Sequence, residues 1–200
     1  MELALISYKI YHFMKAEIEK DKKLLRDQFR KRLRHHSAEE RQNKSKIITD
    51  LVHDLPAFRK AKAVMLYVAM DEEVDTHPLL NLAFQEKKHV LLPVVVQEKD
   101  EMISAELIAP DRMKSGKYGI MEPDSWSSPF PMRDLDMVIV PGLAFDRKNY
   151  RLGRGKGYYD KFLSKLSSKV ATIGLAFDIQ LVEELPIEVH DMKLDLVVHN

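Results

Sequence analysis

The densest chemistry in this chain of 200 residues lies in one decapeptide, Arg151-Leu152-Gly153-Arg154-Gly155-Lys156-Gly157-Tyr158-Tyr159-Asp160. Three glycines alternate with two cations, and two aromatics and an acid follow. Glycine accepts positive φ and lets a backbone approach a ligand closely. Successive backbone N–H groups in such a loop form a concavity for anions. A helix that begins at its far end adds unpaired N–H donors and the positive end of a dipole. Arg154 and Lys156 add full charges, one as a planar fork and the other as a point charge. Asp160 falls in the first turn of that helix, and a carboxylate beside bound phosphates is a natural Mg²⁺ ligand. The pattern points to a loop that holds a nucleoside triphosphate with Mg²⁺. A solvated flexible loop and a basic contact for nucleic acid are the competing readings of Gly-Arg-Gly-Lys-Gly. The spacing is neither the P-loop G-x-x-x-x-G-K-[ST] nor the dinucleotide-binding G-x-G-x-x-G.

Two elements must position this loop. Upstream, Met137-Val138-Ile139-Val140-Pro141 is a short apolar run of strand type. Downstream, Tyr158 to Leu166 places Phe162, Leu163 and Leu166 at helical spacing. A disordered basic tail does not sit between an apolar strand and an aromatic-rich helix, so the flanks favour a built site.

The rest of the chain alternates in the same way. Lys15 to Arg34 is densely charged, with Leu24, Leu25, Phe29 and Leu33 at the period of an amphipathic helix. Ser37 and Glu40 have the spacing of a capping box that opens a second helix, ending near Leu55 before Pro56. From Lys15 to Lys62 there are 15 Lys/Arg against 8 Asp/Glu, which most simply reads as solvated helix faces. Ala63 to Met70 is a nearly continuous apolar run, the mark of a strand buried on both faces. Asp71, Glu72, Glu73 and Asp75 follow directly, where open α/β sheets bind ligands. Thr76 stands where it would cap a helix carrying Pro78 in its first turn and running to Glu86. His89 to Val96 is a second buried strand, whose Pro93 calls for an edge or a bulge. Met102 to Ile108 reads as an antiparallel strand. Residues 109–132 read as a long loop, of a length that is often functional. Ala171 to Phe177 is a further strand, Gln180 to Leu185 a helical turn or two, and Leu194 to Val198 the last strand. Asp191, read from its neighbours alone, caps the turn before that strand.

The expected fold is one three-layer α/β/α domain over residues 15–200, with a mostly parallel, Rossmann-like sheet. Residues 1–14 form an N-terminal extension. Met1 to Phe13 is moderately apolar but is broken by Glu2 and Lys9 and is too short to span a membrane. Met1 and Met14 are both candidate starts. Hydrophobic residues make up 45% of the chain, which excludes a disordered protein. The formal net charge of +1 gives no global field to attract nucleic acid. The absence of cysteine excludes disulfides, thiolate metal sites and a cysteine nucleophile, and suits a cytoplasmic location.

Val140-Pro141-Gly142-Leu143-Ala144-Phe145-Asp146 followed by the decapeptide resembles the signature of the 5-formyltetrahydrofolate cyclo-ligase family, also called methenyltetrahydrofolate synthetases. The similarity runs from about Lys22 to Val198. In many relatives a glycine precedes the arginine, where this chain has Lys148-Asn149-Tyr150; asparagine still tolerates a left-handed turn. Lys22-Lys23-Leu24-Leu25-Arg26 resembles the family's K-x-x-L-R segment. It implies that Lys22, Lys23 and Arg26 reach ATP together with Arg151 through Tyr159. The spacing of four puts Lys22 and Arg26 on one helix face. Glu73-Val74-Asp75-Thr76 resembles the family's substrate segment, implying that Glu73 and Val68 contact the folate. Tyr118, with Gly119 to Pro123, resembles a loop whose aromatic stacks on the pteridine, with the lone Trp126 as a competing stacker. Arg154 and Tyr158 are implied on the substrate side as well. His190-Asp191 with Asp195 resembles the family's H-D-x-x-x-D ending, implying that Asp191 joins Asp160 in holding Mg²⁺.

The resemblance implies an enzyme that cyclises 5-formyltetrahydrofolate to 5,10-methenyltetrahydrofolate at the expense of ATP. Arg154 and Lys156 would be its catalytic cations. ATP and 5-formyltetrahydrofolate would be its partners, with neither a nucleic acid nor a membrane. A non-catalytic nucleotide- or folate-binding relative and an RNA-binding module are the alternatives.

Overall fold

The apolar runs near residues 63, 89, 137 and 171 become neighbouring strands. Their side chains divide with period two between the faces of one sheet. The computed structural model describes the backbone of residues 2–200, and the side chains from Met14 onward apart from Tyr118. Three helices come first: α1 (Glu2–Arg34), α2 (Ala38–Asp54) and α3 (Pro56–Lys60). A parallel unit follows, made of β1 (Ala63–Met65), α4 (His77–Gln85) and β2 (His89–Val96), and β3 (Glu101–Glu106) returns antiparallel. A small hairpin pairs β4 (Met113–Ser115) with β5 (Met121–Pro123). The second half holds β6 (Met137–Val140), β7 (Ala144–Asp146), β8 (Arg151–Leu152), α5 (Tyr158–Leu163), β9 (Ala171–Ala176), β10 (Leu181–Val182) and β11 (Leu196–His199).

The main sheet has six strands in the order β11-β9-β6-β1-β2-β3, all parallel except β3. Val64, Val90, Leu92, Met137, Ile139, Ile173 and Leu175 face one core, shared with Phe29, Leu33, Ile48, Val52, Phe58 and Leu80 from α1 to α4. Met65, Leu91, Val138, Val140 and Ala176 face the other, with Phe145 and with Phe162 and Leu163 of α5. The fold is therefore the expected α/β architecture with helices on both sides of a mostly parallel sheet. β7, β8 and β10 form a second, three-stranded sheet. The fully buried Phe145 of that sheet lies against two glycines. A Cβ on either Gly142 or Gly174 would stand 2.6 Å from its ring.

The capping box forms as expected. Ser37 Oγ accepts from Glu40 N–H, and the Glu40 carboxylate accepts from Ser37 N–H. α1 runs unbroken through residue 14, and the side chains of residues 1–13 lie outside those described. Four expectations are corrected. The strand from Ala63 ends its ladder at Met65, because two backbone groups beyond it are claimed locally. Thr76 Oγ1 donates to the carbonyl of Tyr67 (2.5 Å), and Glu73 Oε2 accepts from Met70 N–H (3.0 Å). Pro93 is neither on an edge strand nor in a bulge. Leu91 O faces β1, where it accepts from Leu66 N–H. By the two-residue repeat Pro93 faces the same side, past the last β1 pairing, where no amide is required. Residues 180–185 are not helical; a single 3₁₀ turn covers Asp178–Gln180, and Leu181–Val182 pairs with β7. The long loop contains the β4–β5 hairpin. No helix among the described residues is long and apolar enough to cross a membrane.

From β1 the chain builds toward β3 on one side, and from β6 it builds toward β11 on the other. β1 and β6 are adjacent, so the strand order reverses between them. Open α/β sheets bind ligands just beyond the carboxyl ends of such a pair.

Candidate active site

A cleft of about 1320 Å³ opens at this reversal. Tyr67, Val68 and Met70 line it from the end of β1, and Pro141 and Gly142 from the end of β6. The glycine loop forms one wall, α1 a second, and residues 188–192 a third. The site residues expected from sequence line this one cleft, apart from Tyr118, whose side chain lies outside those described, and the competing stacker Trp126, which lines a separate hollow with Ser125 and Phe130. Lys117 and Ile120 of that loop do line it.

The glycine loop is shaped by two left-handed positions, Gly155 (φ 102°) and Gly157 (φ 67°). Gly157 is the residue from which α5 starts. The Arg26 guanidinium of α1 packs over Gly155, 3.4 Å from where a Cβ would stand. Arg26 Nε donates to Gly153 O at 3.0 Å. The helix thus grips the backbone of the loop with a side chain that the sequence assigned only to ligand.

Three cations in the cleft are matched by carboxylates from other parts of the chain. Lys22, only 6% exposed, reaches Asp191 Oδ2 (2.5 Å) and Glu188 Oε2 (2.8 Å). Arg151, 8% exposed, donates through one guanidinium nitrogen to Asp160 Oδ1 at 2.9 Å. Arg154 spans to Glu73 from the other side of the cleft, with two nitrogens on Oε1 at 2.7 and 3.2 Å. Glu73 is only 10% exposed at its side chain and is held by Met70 N–H through its second oxygen. The carboxylates are fixed in turn. Asp160 Oδ1 also accepts the amide of Met192 (3.1 Å), and Asp191 Oδ2 accepts that of Glu188 (2.6 Å). Asp160 and Asp191 therefore brace the same short turn without sharing a partner atom.

Glu188, His190 and Asp191 present ligand atoms all within 4.8 Å of one another. Asp160 is outside that group. Hard carboxylate oxygens are the donors Mg²⁺ prefers. The Lys22 ammonium between two of them shows a pocket built to accept positive charge, so this donor set fits the ion. Glu188 was not singled out from the sequence. Its only signal was its place three residues before Asp191 in an acidic turn.

Two phenols, Tyr67 and Tyr159, line the same cleft. Burial, and then the nearby Glu73 carboxylate, push the pKa of Tyr67 well up, and the same causes raise that of Tyr159. Both stay protonated across the physiological range. Tyr67 donates to Val74 O at 3.2 Å. The Tyr159 hydroxyl and the Arg151 Nε are buried without a hydrogen-bond partner among the described residues. The Arg151 guanidinium lies 5.8 Å from the Tyr159 ring centre.

Residues 18–200 match the family model described as the 5-formyltetrahydrofolate cyclo-ligase family. The chain is 31% identical over 188 residues to the 5-formyltetrahydrofolate cyclo-ligase of Mus musculus, covering 89% of this chain and 93% of the relative. It is 34% identical over 170 residues to that of Haemophilus influenzae, covering 83% and 88%. In three dimensions it resembles the solved 5,10-methenyltetrahydrofolate synthetase of Aquifex aeolicus. The TM-score is 0.78 at 35% identity, with 89% of each chain covered. With the sequence match spanning the glycine loop, both halves of the sheet and the closing turn, the chain belongs to the 5-formyltetrahydrofolate cyclo-ligase family.

Proposed function

We propose that this enzyme is a ligase that converts 5-formyltetrahydrofolate and ATP into 5,10-methenyltetrahydrofolate, ADP and phosphate. The observation that carries the reading is the Arg154–Glu73 pair, which joins the phosphate-type loop to the folate-side loop within one cleft. At about 1320 Å³ that cleft exceeds the ~300–1,000 Å³ of a pocket for a single small ligand, so two substrates can lie together.

The chemistry explains the need for ATP. A formamide oxygen leaves poorly. Transfer of the γ-phosphoryl to that oxygen forms a P–O bond and breaks the bond from Pγ to the bridging oxygen of ADP. N10 then attacks the activated carbon and loses its proton. The C–O bond breaks, phosphate leaves with its electron pair, and the N5 lone pair completes the methenyl cation. Such a transfer asks the protein mainly for positioning and charge stabilisation. Arg154, Lys156 and the amides of the glycine loop face the transferring group, while Lys22, Lys23 and Arg26 hold the rest of the triphosphate. Glu73, Val68 and Tyr158 position the folate, and Tyr118 stacks on its ring. Asp160 and Asp191, with Glu188 beside them, would hold Mg²⁺, which supplies charge neutralisation on phosphate oxygens when bound. No protein nucleophile takes part.

The test mixes the purified protein with ATP, Mg²⁺ and 5-formyltetrahydrofolate and follows the methenyl chromophore. The expected result is a signal that vanishes when ATP is omitted. A signal independent of ATP, or none under any nucleotide condition, refutes the reading.

A further inference from the structure

Thr76 stands where a helix cap is expected, yet its hydroxyl does not cap α4. Asp75 has taken that task. Its Oδ1 accepts from His77 N–H at 3.0 Å, at the first turn of the helix. Thr76, 1% exposed, points inward instead and donates to the carbonyl of Tyr67 at 2.5 Å. This bond staples the two ends of the segment 67–76, the stretch that presents both Val68 and Glu73 to the cleft. Everything else in the segment agrees with a preset shape. Tyr67 Oη reaches Val74 O (3.2 Å), Met70 N–H is held by Glu73 Oε2 (3.0 Å), and Glu73 N–H bonds Met70 O (2.9 Å). From α2, the buried Ser45 accepts from Asp75 N–H at 3.0 Å.

We propose that Thr76 is a positioning residue for the folate side of the cleft. Through the Tyr67 carbonyl it fixes the height at which the 67–76 segment offers Glu73. It touches no substrate. The Tyr67 carbonyl is buried, so loss of the hydroxyl leaves an acceptor unsatisfied, and the segment relaxes to recover a partner. Glu73 then moves relative to both Arg154 and the bound folate. The nucleotide side is carried by other elements, α1 and the glycine loop, and is left in place.

The inference rests on the reading that Glu73 meets folate, and the experiment separates the two. Thr76→Val keeps the shape and removes the donor; Thr76→Ser keeps the donor. Steady-state kinetics give KM separately for 5-formyltetrahydrofolate and for ATP. The expected result for Thr76→Val is a folate KM raised about tenfold, the equivalent of one buried hydrogen bond, with the ATP KM within about twofold of wild type. Thr76→Ser restores the folate KM. In a Glu73→Gln background, Thr76→Val adds little further, because the two act through one carboxylate. If Glu73→Gln alone leaves the folate KM unchanged, the reading of Glu73 fails and takes the inference with it. If Glu73→Gln raises it while Thr76→Val does not, or if Thr76→Val raises both KM values alike, the positioning role alone is overturned. Should Thr76→Val fold poorly, Ser45→Ala tests the same segment from its α2 tether, and an unchanged folate KM there counts equally against the idea.

Discussion

Replacing Lys22 by methionine isolates what its charge does. The methionine fills a similar volume but leaves Glu188 and Asp191 facing each other without their shared ammonium. The ion pair is nearly dry: the side chains of Lys22, Glu188 and Asp191 are 7%, 12% and 14% exposed. Removing one partner from a buried pair costs about 3–5 kcal/mol, and the residual exposure of the acids argues for the low end, about 3 kcal/mol. For a chain of this length about 1 kcal/mol moves Tm by about 2–4 °C, so the expected drop is about 6–12 °C. The assay is a thermal melt of Lys22→Met in chelator and again with millimolar Mg²⁺. A divalent ion between the two carboxylates recovers part of the loss, and raises the wild-type Tm less, because there the ammonium competes for the same carboxylates. The double variant Lys22→Met with Glu188→Gln regains much of the stability in chelator, because one of the two facing charges is gone. A Tm within about 2 °C of wild type refutes the reasoning, for it means that water already screens these carboxylates.

Three further outcomes are expected. Lys156→Ala lowers turnover by about 10²–10³-fold, as for loss of a cation that stabilises a migrating phosphoryl group, measured as ADP release; wild-type turnover removes Lys156 from the chemistry. Gly174→Ala forces a methyl to 2.6 Å from the Phe145 ring, and overpacking a filled core destabilises by about 1–3 kcal/mol in denaturant titration; an unchanged midpoint means that the ring has room to shift. The Lys44 ammonium, at 2.6 Å, holds the Asp178 carboxyl below its ordinary value of 3.8. A carboxyl with a depressed folded pKa stabilises fully above its unfolded pKa, and the contribution fades as pH falls through the folded one. The Tm gap between wild type and Asp178→Asn is therefore open at pH 6 and narrows below pH 4; a gap that stays constant to pH 3 contradicts it.

Much of this fold could be read from the residues because local and global preferences agreed. His89 to Val96 is a strand over the range its apolar run marks, and Ser37 with Glu40 forms the cap that its spacing requires. The glycine loop runs into the expected helix, which ends at Leu163, but the strand that leads into it is β8 of the β7–β8 pair and not the apolar run of β6. What escaped reading depended on partners distant in the chain. Nothing near Lys22 says that it will meet residues 188 and 191, and nothing near Arg154 says that it will reach Glu73, 81 residues away. Short strands such as β7, β8 and β10 are stabilised by one another and by Phe145, and two or three residues carry no period. The apolar run from Ala63 looked longer than the ladder because hydrophobicity marks burial, not pairing. Residues 66–68 are buried although β1 ends at Met65. Thr76 was misplaced for a related reason. A hydroxyl before a helix has two places to go, and Asp75 had filled the first.

The bond from Lys22 to Asp191 joins positions 169 residues apart. Lys22, on one wall of the cleft, is synthesised long before the acids that complete its charge. A nascent polypeptide therefore carries Lys22 through the synthesis of the intervening sheet before its partners at 188 and 191 arrive, and until then that wall of the cleft lacks its opposed charges. For the same reason, cutting the chain at the β4–β5 hairpin leaves neither piece with a complete set of opposed charges.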